Sequence, residues 1–133
     1  MHGAKVFSYK RVDAAFRPII PIGIGNTDNS DFIRHEVLVD SGADWCVINA
    51  DIGEAIGLNI ENDKPMPFRG ISGKEEIGYI HVVNINVKGY VYSAPVVFTR
   101  SLADDRYSIV GQVSFFDQFD VRLNYKERKI VLR

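Results

Sequence analysis

The hydrophobic residues of this chain fall mostly into short β-branched runs or at alternate positions, a pattern typical of β-strands. The segments that show it are Arg17–Ile24, Phe32–Val39, Ile77–Val87, Tyr90–Phe98, Tyr107–Val110, Val121–Tyr125 and Lys129–Leu132. Lys88-Gly89 predicts a tight hairpin between two of these strands, and Lys126-Glu127-Arg128 predicts a second one near the end of the chain. Pro18 and Pro21 predict that the first strand is irregular or lies at a sheet edge.

Only two segments have a pattern that favours helix. One is Ala50–Ile56, which Gly57 ends, and the other is Gln112–Phe119, where Val113 and Phe116 mark one face. The length of 133 residues is typical of one domain. We therefore expect a single domain over residues 1–133 of the all-β class, mainly β with one or two short helices, whose strands close on one core.

The charge balance and the hydropathy limit the kinds of partner. Sixteen Lys and Arg residues against seventeen Asp and Glu give a net charge of −1, whereas a nucleic-acid binder needs a basic face. No apolar run approaches the roughly 20 residues that span a bilayer, and the N-terminal residues lack the apolar core of a secretory signal. We expect no nucleic-acid partner, no membrane contact and a cytoplasmic location.

The spacing of the His, Gly and Cys residues gives no support for metal, cofactor or thiol chemistry. Histidine occurs at three positions, His2, His35 and His81, and none pairs with Cys, Asp or Glu at the spacing of a zinc site. Gly23-Ile24-Gly25 and Gly70–Lys74 lack the spacing of a nucleotide-binding loop. Cys46 is the only cysteine, and a buried, inert thiol explains it best. We expect no metal and no cofactor.

One segment carries candidate chemistry, because the apolar strand Val37–Val39 leads directly into Asp40-Ser41-Gly42-Ala43-Asp44. A buried strand end would hold the Asp40 carboxylate in place, the Ser41 hydroxyl can both donate and accept hydrogen bonds, and Gly42 allows close backbone approach. An Asx turn at a strand end is a simpler explanation of the same residues. Asp-Ser-Gly by itself favours that explanation.

Two further motifs change this interpretation. Gly70-Ile71-Ser72-Gly73 is a glycine-flanked tip between strand-like segments, and Ser108-Ile109-Val110-Gly111 places two apolar residues before a glycine. In this order, behind Asp-Ser-Gly-Ala, they resemble the retropepsin family of aspartic proteases. The resemblance extends from Arg17 to Leu132, and its opening residues are similar to the first strand of bacterial members. It implies a closed barrel that corresponds to one lobe of an aspartic protease.

The resemblance also implies roles for single residues. Asp40 matches the catalytic aspartate, and Ser41 matches the Thr or Ser whose hydroxyl links two active-site loops. Gly42 matches the glycine whose carbonyl meets the substrate backbone, and Asp44 matches the acid that helps to hold that backbone. The flap that covers the substrate would contain Ile71, Ser72 and Gly73. The structural residues around the catalytic loop would be Ala43, Ile109, Val110 and Gly111.

Two departures from the family pattern concern the active-site loop and the dimer. Retroviral members have an Arg soon after the apolar-apolar-Gly motif, where this chain has Gln112, and Gln cannot form a bidentate ion pair. Arg122 is a distant substitute. The hairpin from Val121 to Arg133 is longer than the terminal strand of viral members, so the dimer interface is expected to differ.

The resemblance implies an aspartic endopeptidase that acts as a homodimer on a peptide or protein substrate. Two carboxylates are needed, and no other Asp in the chain is followed by Ser-Gly or Thr-Gly, so the second one would come from a second copy. Ser41 would then reach across the two-fold axis, and Val121–Tyr125 or Lys129–Leu132 would pair between subunits.

Two alternatives stay open at this point. One is a dimeric retropepsin-like binding module that cleaves nothing, because a fold does not imply an activity. The other is an unrelated β-domain with an accidental Asp-Ser-Gly. In the unrelated β-domain the two Asp40 carboxylates would not face each other.

Overall fold

The computed structural model describes residues 3–69, 73–102 and 106–133. The strands are β1 (Lys5–Ser8), β2 (Lys10–Val12), β3 (Ala15–Arg17), β4 (Ile19–Gly25), β5 (Ile33–Val39), β6 (Val47–Asn49), β7 (Pro65–Arg69), β8 (Glu75–Val87), β9 (Tyr90–Thr99), β10 (Ser108–Val110), β11 (Val121–Asn124) and β12 (Lys129–Leu132). One α-helix, α1 (Ala50–Ala55), follows β6, and a 3-10 turn spans Ile60–Asn62. The expected mainly β class is confirmed.

The largest sheet has the strand order β4-β5-β10-β6-β9-β8-β7. Because β4 also pairs with β8 over Gly23–Gly25, the pairing runs around six strands and returns to its start, with β7 outside on β8. β10 lies between β5, to which it is parallel, and β6. This insertion brings the chain around Val110 next to the end of β5.

The core forms where alternate side chains of these strands point to the same side. In β8, Val83, Ile85 and Val87 are buried while Val82 is 54 % exposed, which is the period-two pattern of a half-buried strand. Buried residues of β4, β9 and α1 join them in one cluster. The alternation that predicted the strands therefore also selects the buried face.

Three of the strands form a separate sheet in the order β1-β12-β11. Phe7, Ile130 and Leu132 attach this sheet to the main core. The predicted hairpin of β11 and β12 is confirmed. However, β12 pairs with β11 on one side and with β1 on the other, so the expected pairing of Lys129–Leu132 with another subunit is wrong: both edges of this strand are already occupied.

The N-terminal strands were missed because each is only three or four residues long. β2 and β3 form a two-stranded hairpin, which contacts the rest of the chain through charged side chains. Lys10 Nζ lies 2.7 Å from Glu36 Oε1, and the Arg128 guanidinium stacks 4.4 Å from the Phe16 ring centroid. Contacts of charged side chains leave no periodic pattern of hydrophobic residues, so the sequence does not reveal them.

The edge position predicted from the prolines is confirmed for the first part of β4, where β5 is its only paired strand among the described residues. β4 pairs with β5 from Ile19 to Ile24 and with β8 only from Gly23 to Gly25. Pro21 therefore lies in the part of β4 that β8 does not pair, where the missing N–H of proline removes no bond to β8.

The first predicted helix is confirmed, since α1 covers Ala50–Ala55. Asn49 Oδ1 accepts a hydrogen bond from Asp51 N at 2.9 Å, a standard N-cap contact. Gly57 has a φ of +92°, a conformation that glycine adopts without steric cost and that ends the helix. Both signals are local, which explains why the sequence predicts them.

The second predicted helix, Gln112–Phe119, is wrong. This segment is a series of turns, and Ser114 has a φ of +78° that a right-handed helix cannot contain. Ser114 is held from outside the segment, because its carbonyl accepts from Tyr92 Oη at 2.9 Å and its hydroxyl donates to Pro95 O at 2.6 Å. Tertiary contacts override the local helical pattern here.

The burial pattern of β8 predicts a difference in stability between two neighbouring valines. Val83→Ala removes buried methyl groups and leaves a cavity, so we expect the free energy of unfolding to fall by about 2 kcal/mol. Val82→Ala makes the same change in strand propensity on the exposed face, and a loss below about 1 kcal/mol is expected. Urea denaturation of the two variants measures both values, and equal losses would contradict the assigned core face.

Candidate active site

Asp40 stands at the end of a strand that is held on both sides. β5 pairs with β4 and with β10, and its last residue, Val39, donates to Pro18 O at 2.9 Å. The backbone N–H of Asp40 then donates to Val110 O at 3.0 Å. Asp40 is half-buried, so its backbone is fixed while its side chain stays accessible.

The following residues, Asp40–Asp44, form a tight turn that we call the Asp40 loop. Gly42 N donates to Asp40 Oδ1 at 2.9 Å, and Ala43 N donates to Asp40 O at 3.2 Å. The Asx turn of the simpler explanation is thus present. The turn orients Asp40 Oδ1 towards the loop backbone. The other carboxylate oxygen of Asp40 remains available for a chemical role.

A second segment, Val110–Val113, lies against the Asp40 loop. Gln112 N donates to Ala43 O at 2.8 Å, and Val113 N donates to Asp44 O at 2.9 Å. With the bond from Asp40 to Val110, these contacts tie the two segments together along their length. The loop geometry therefore depends on residues about 70 positions later in the chain.

Gly111 fits between the two segments because it has no side chain. A Cβ at this position would lie 2.5 Å from Ala43 O and 2.5 Å from Trp45 O. Both contacts are with backbone atoms, and Ala43 O cannot move aside without breaking its hydrogen bond from Gln112 N. The Gly of the apolar-apolar-Gly motif is thus required by close packing.

The side chain of Gln112 also reaches the Asp40 loop. Its Nε2 donates to Ser41 O at 2.9 Å, so the residue that stands where retroviral members have Arg does contact the loop, through a neutral hydrogen bond. Arg122, the distant substitute considered above, lies on β11, with its Nη2 3.5 Å from Asp120 Oδ2.

Cys46 supports the site from behind. Its Sγ–H donates to Val113 O at 3.3 Å, and its Sγ accepts from Gly111 N at 3.4 Å. Burial raises the pKa of the Cys46 thiol to about 12, which keeps it protonated and unreactive at neutral pH. These contacts agree with the expected buried, inert thiol.

A cleft of about 560 Å³ opens beside Asp40. The Asp40 loop forms one wall and β7 forms the opposite one, with Met66, Phe68 and Arg69 among its lining residues. Trp45, Val47 and Ile109 add apolar surface, and Arg106 adds a charge. Sequence reasoning missed the β7 wall because Pro65 and Pro67 obscure the strand pattern there.

The hairpin of β7 and β8 lines this cleft through Met66–Arg69 and Glu76. The strands pair antiparallel, with Arg69 opposite Glu75, and Arg69 Nη1 donates to Gly73 O at 3.2 Å. Gly73 has a φ of +79°, and a Cβ there would meet no atom of the described residues within 4 Å. Ile71 and Ser72, which the sequence assigns to a flap with Gly73, lie outside the described residues.

The histidines within the described ranges make contacts inside the fold. His35 Nε2 and Ser108 Oγ are 2.7 Å apart, and His81 Nε2 lies 2.9 Å from Ile60 O. Burial lowers the pKa of His35, which favours a neutral ring. In the same part of the chain, no group of three or more His, Cys, Asp or Glu residues could hold a metal ion.

The site lies in a chain whose relatives are proteases. The family model described as gag-polyprotein putative aspartyl protease matches residues 31–116, a range that contains Asp40 and Gly111. The chain belongs to this aspartyl protease family. Its fold is that of the retropepsin-like proteases, which confirms the resemblance seen in the sequence.

Two solved structures share this fold. A retropepsin-like aspartic protease from Rickettsia conorii superposes with a TM-score of 0.70 at 17 % identity, over 98 % of this chain and 89 % of the other. The EIAV protease complexed with the inhibitor HBY-793 gives a TM-score of 0.53 at 20 % identity, over 77 % and 88 % of the two chains. A search of curated proteins found no match. Among the described residues, no helix is long and apolar enough to cross a membrane.

The packing around Gly111 predicts a large cost for the smallest possible side chain. Gly111→Ala places a methyl group against two carbonyl oxygens, so we expect the free energy of unfolding to fall by about 2 kcal/mol or more. Gly3→Ala is the matched control, because a Cβ there meets none of the described residues within 4 Å, and a change within about 0.5 kcal/mol is expected. Thermal and urea unfolding compare the two. A Gly111→Ala protein as stable as the control would disprove the close packing.

Proposed function

We propose that the protein is an aspartic endopeptidase that acts as a homodimer and hydrolyses peptide bonds with a water activated between two Asp40 carboxylates. The observation that carries this proposal is the position of Asp40, fixed by backbone bonds at the wall of a cleft that the β7–β8 hairpin also lines. The membership of an aspartyl protease family supports it.

The chemistry requires two carboxylates that share one proton. Two negative charges so close together cannot both persist, so one carboxyl group stays protonated. The ionised carboxylate takes a proton from the water as it attacks, and the protonated one donates a hydrogen bond to the scissile carbonyl. The leaving amine then receives a proton from the same pair. No cofactor is needed for these steps.

The second carboxylate comes from a second copy of the chain. A two-fold axis places each Asp40 opposite its own copy, and Ser41, which is exposed, links the two Asp40 loops through its hydroxyl. β12 is paired on both edges, whereas β11 has β12 on one side only. Val121–Tyr125 is therefore the segment that we propose to pair between subunits.

The substrate is an extended peptide lying between the Asp40 loop and β7. Gly42 accepts a hydrogen bond from its backbone, Asp44 holds the same backbone, and the tip formed by Ile71, Ser72 and Gly73 closes over it, as a strand is added to a sheet. The apolar walls from Trp45, Met66, Phe68 and Ile109 favour apolar side chains on either side of the cleaved bond.

Replacing the carboxylate tests the mechanism directly. Asp40→Asn keeps the shape of the side chain but removes the group that shares the proton, so we expect peptidase activity to fall by a factor of 10³ or more, on the order of 4 kcal/mol. Asp28→Asn, in the loop between β4 and β5, is the matched control and should retain full activity. Cleavage of a peptide library measures both.

The same assay separates the alternatives. Full activity in Asp40→Asn would disprove the two-carboxylate mechanism. A peptide that the wild-type protein binds in the cleft but never cleaves would instead favour the dimeric binding module.

Dimerisation gives an independent prediction. Since each chain supplies only one Asp40 carboxylate, specific activity should fall steeply when the protein is diluted below the dissociation constant of the dimer. Activity assays across a dilution series, with sedimentation at the same concentrations, measure this dependence. Full specific activity from a sedimenting monomer would refute the homodimer.

A further inference from the structure

Gln112 makes a contact that the proposed mechanism does not use. Its backbone N–H donates to Ala43 O at 2.8 Å, as a member of the paired segment. Its side chain extends back along the loop, and Nε2 donates to Ser41 O at 2.9 Å. Gln112 is itself exposed, so core packing does not explain why the amide lies there.

The atom that Gln112 contacts belongs to the peptide group that also holds Asp40. Ser41 O and Gly42 N are the two ends of one planar group. At its other end, Gly42 N donates to Asp40 Oδ1 at 2.9 Å. Because the group is planar, fixing the direction of the carbonyl also fixes the direction of the N–H that orients the carboxylate.

We propose that Gln112 is a positioning residue for the Asp40 carboxylate and acts through the Ser41–Gly42 peptide group. The side-chain amide of Gln112 fixes the orientation of this peptide plane. In that orientation the Gly42 N–H points at Asp40 Oδ1. A hydrogen bond accepted by the carbonyl also strengthens the N–H of the same group as a donor. The consequence for catalysis rests on the proposed function, whereas the positioning itself does not.

A neutral donor at this position adds no charge to the acidic surroundings. Asp40 and Asp44 lie in the contacted loop, and Asp117, whose N–H donates to Gln112 O at 3.1 Å, follows in the next turn. Glutamine holds the carbonyl without placing a full positive charge beside the two carboxylates that must share a proton. An arginine would hold the loop and add that charge at the same time.

The test uses the amide proton of Gly42 in the full-length protein without substrate. NMR measures its protection from hydrogen exchange and its chemical shift in the wild type, Gln112→Ala, Gln112→Glu and the control Gln118→Glu. Gln118 is an exposed glutamine in the same series of turns. Its substitution adds the same charge away from Ser41.

We expect Gln112→Ala to lower the protection of Gly42 about three- to tenfold at every pH, the range that corresponds to one hydrogen bond. Gln112→Glu should show the same loss when ionised, because a carboxylate cannot donate. Protection should return as the pH falls through the titration of the introduced glutamate, which lies at or above about 4.3 beside these acidic neighbours. Gln118→Glu should match the wild type throughout.

Kinetics supply a second readout. The ratio of kcat for Gln112→Glu to kcat for wild type should rise as the pH falls, with little change in KM, since substrate contacts are retained. An unchanged Gly42 amide in Gln112→Ala, or a Gln112→Glu effect that does not depend on pH, would overturn the positioning role. A wild-type protein that cleaves no peptide would count against the proposed function alone. The role of Gln112 would still be tested by the hydrogen-exchange protection of the Gly42 amide.

Discussion

The backbone hydrogen bonds between the Asp40 loop and Val110–Val113 are the constraint on which the site depends. They join segments that are about 70 residues apart, and they form only because β10 is inserted between β5 and β6. A carboxylate at the end of an isolated strand would sample many orientations. Here the strand end, the loop and the segment behind it are paired together, so the orientation of Asp40 is set before any substrate or second subunit arrives.

Close packing behind the loop makes this arrangement rigid. Gly111 leaves no room for a Cβ, and Cys46 fills the space behind it while satisfying a backbone donor and acceptor. On the open side the loop faces a cleft, and the opposite wall is β7. The site thus combines a fixed carboxylate with a wall carried on a hairpin. Such an arrangement suits a reaction in which the reacting group must be precisely positioned while substrates bind and leave.

The order of strands in the terminal sheet limits which strand can pair with a second subunit. In this chain β12 is the central strand, covered by β1 and β11, and its apolar residues Ile130 and Leu132 are buried in the core. It cannot serve as a strand between subunits. The long hairpin near the end of the chain was correctly predicted from Lys126-Glu127-Arg128, but its neighbour β1 was not, because four residues with one buried side chain give too weak a pattern.

The sequence alone determined the features that depend on neighbouring residues. The alternation in β8, the Asn49 cap and the Gly57 end of α1 are local signals, and the order of the motifs around Asp40 and Gly111 was enough to indicate the family. The tertiary structure decided the rest. Gln112–Phe119 turns instead of forming a helix because Tyr92 and Pro95 bind Ser114, and Gln112 meets Ser41 only after β10 is inserted. Backbone donors and acceptors take the partners that folding places beside them, and those partners lie far away in the chain.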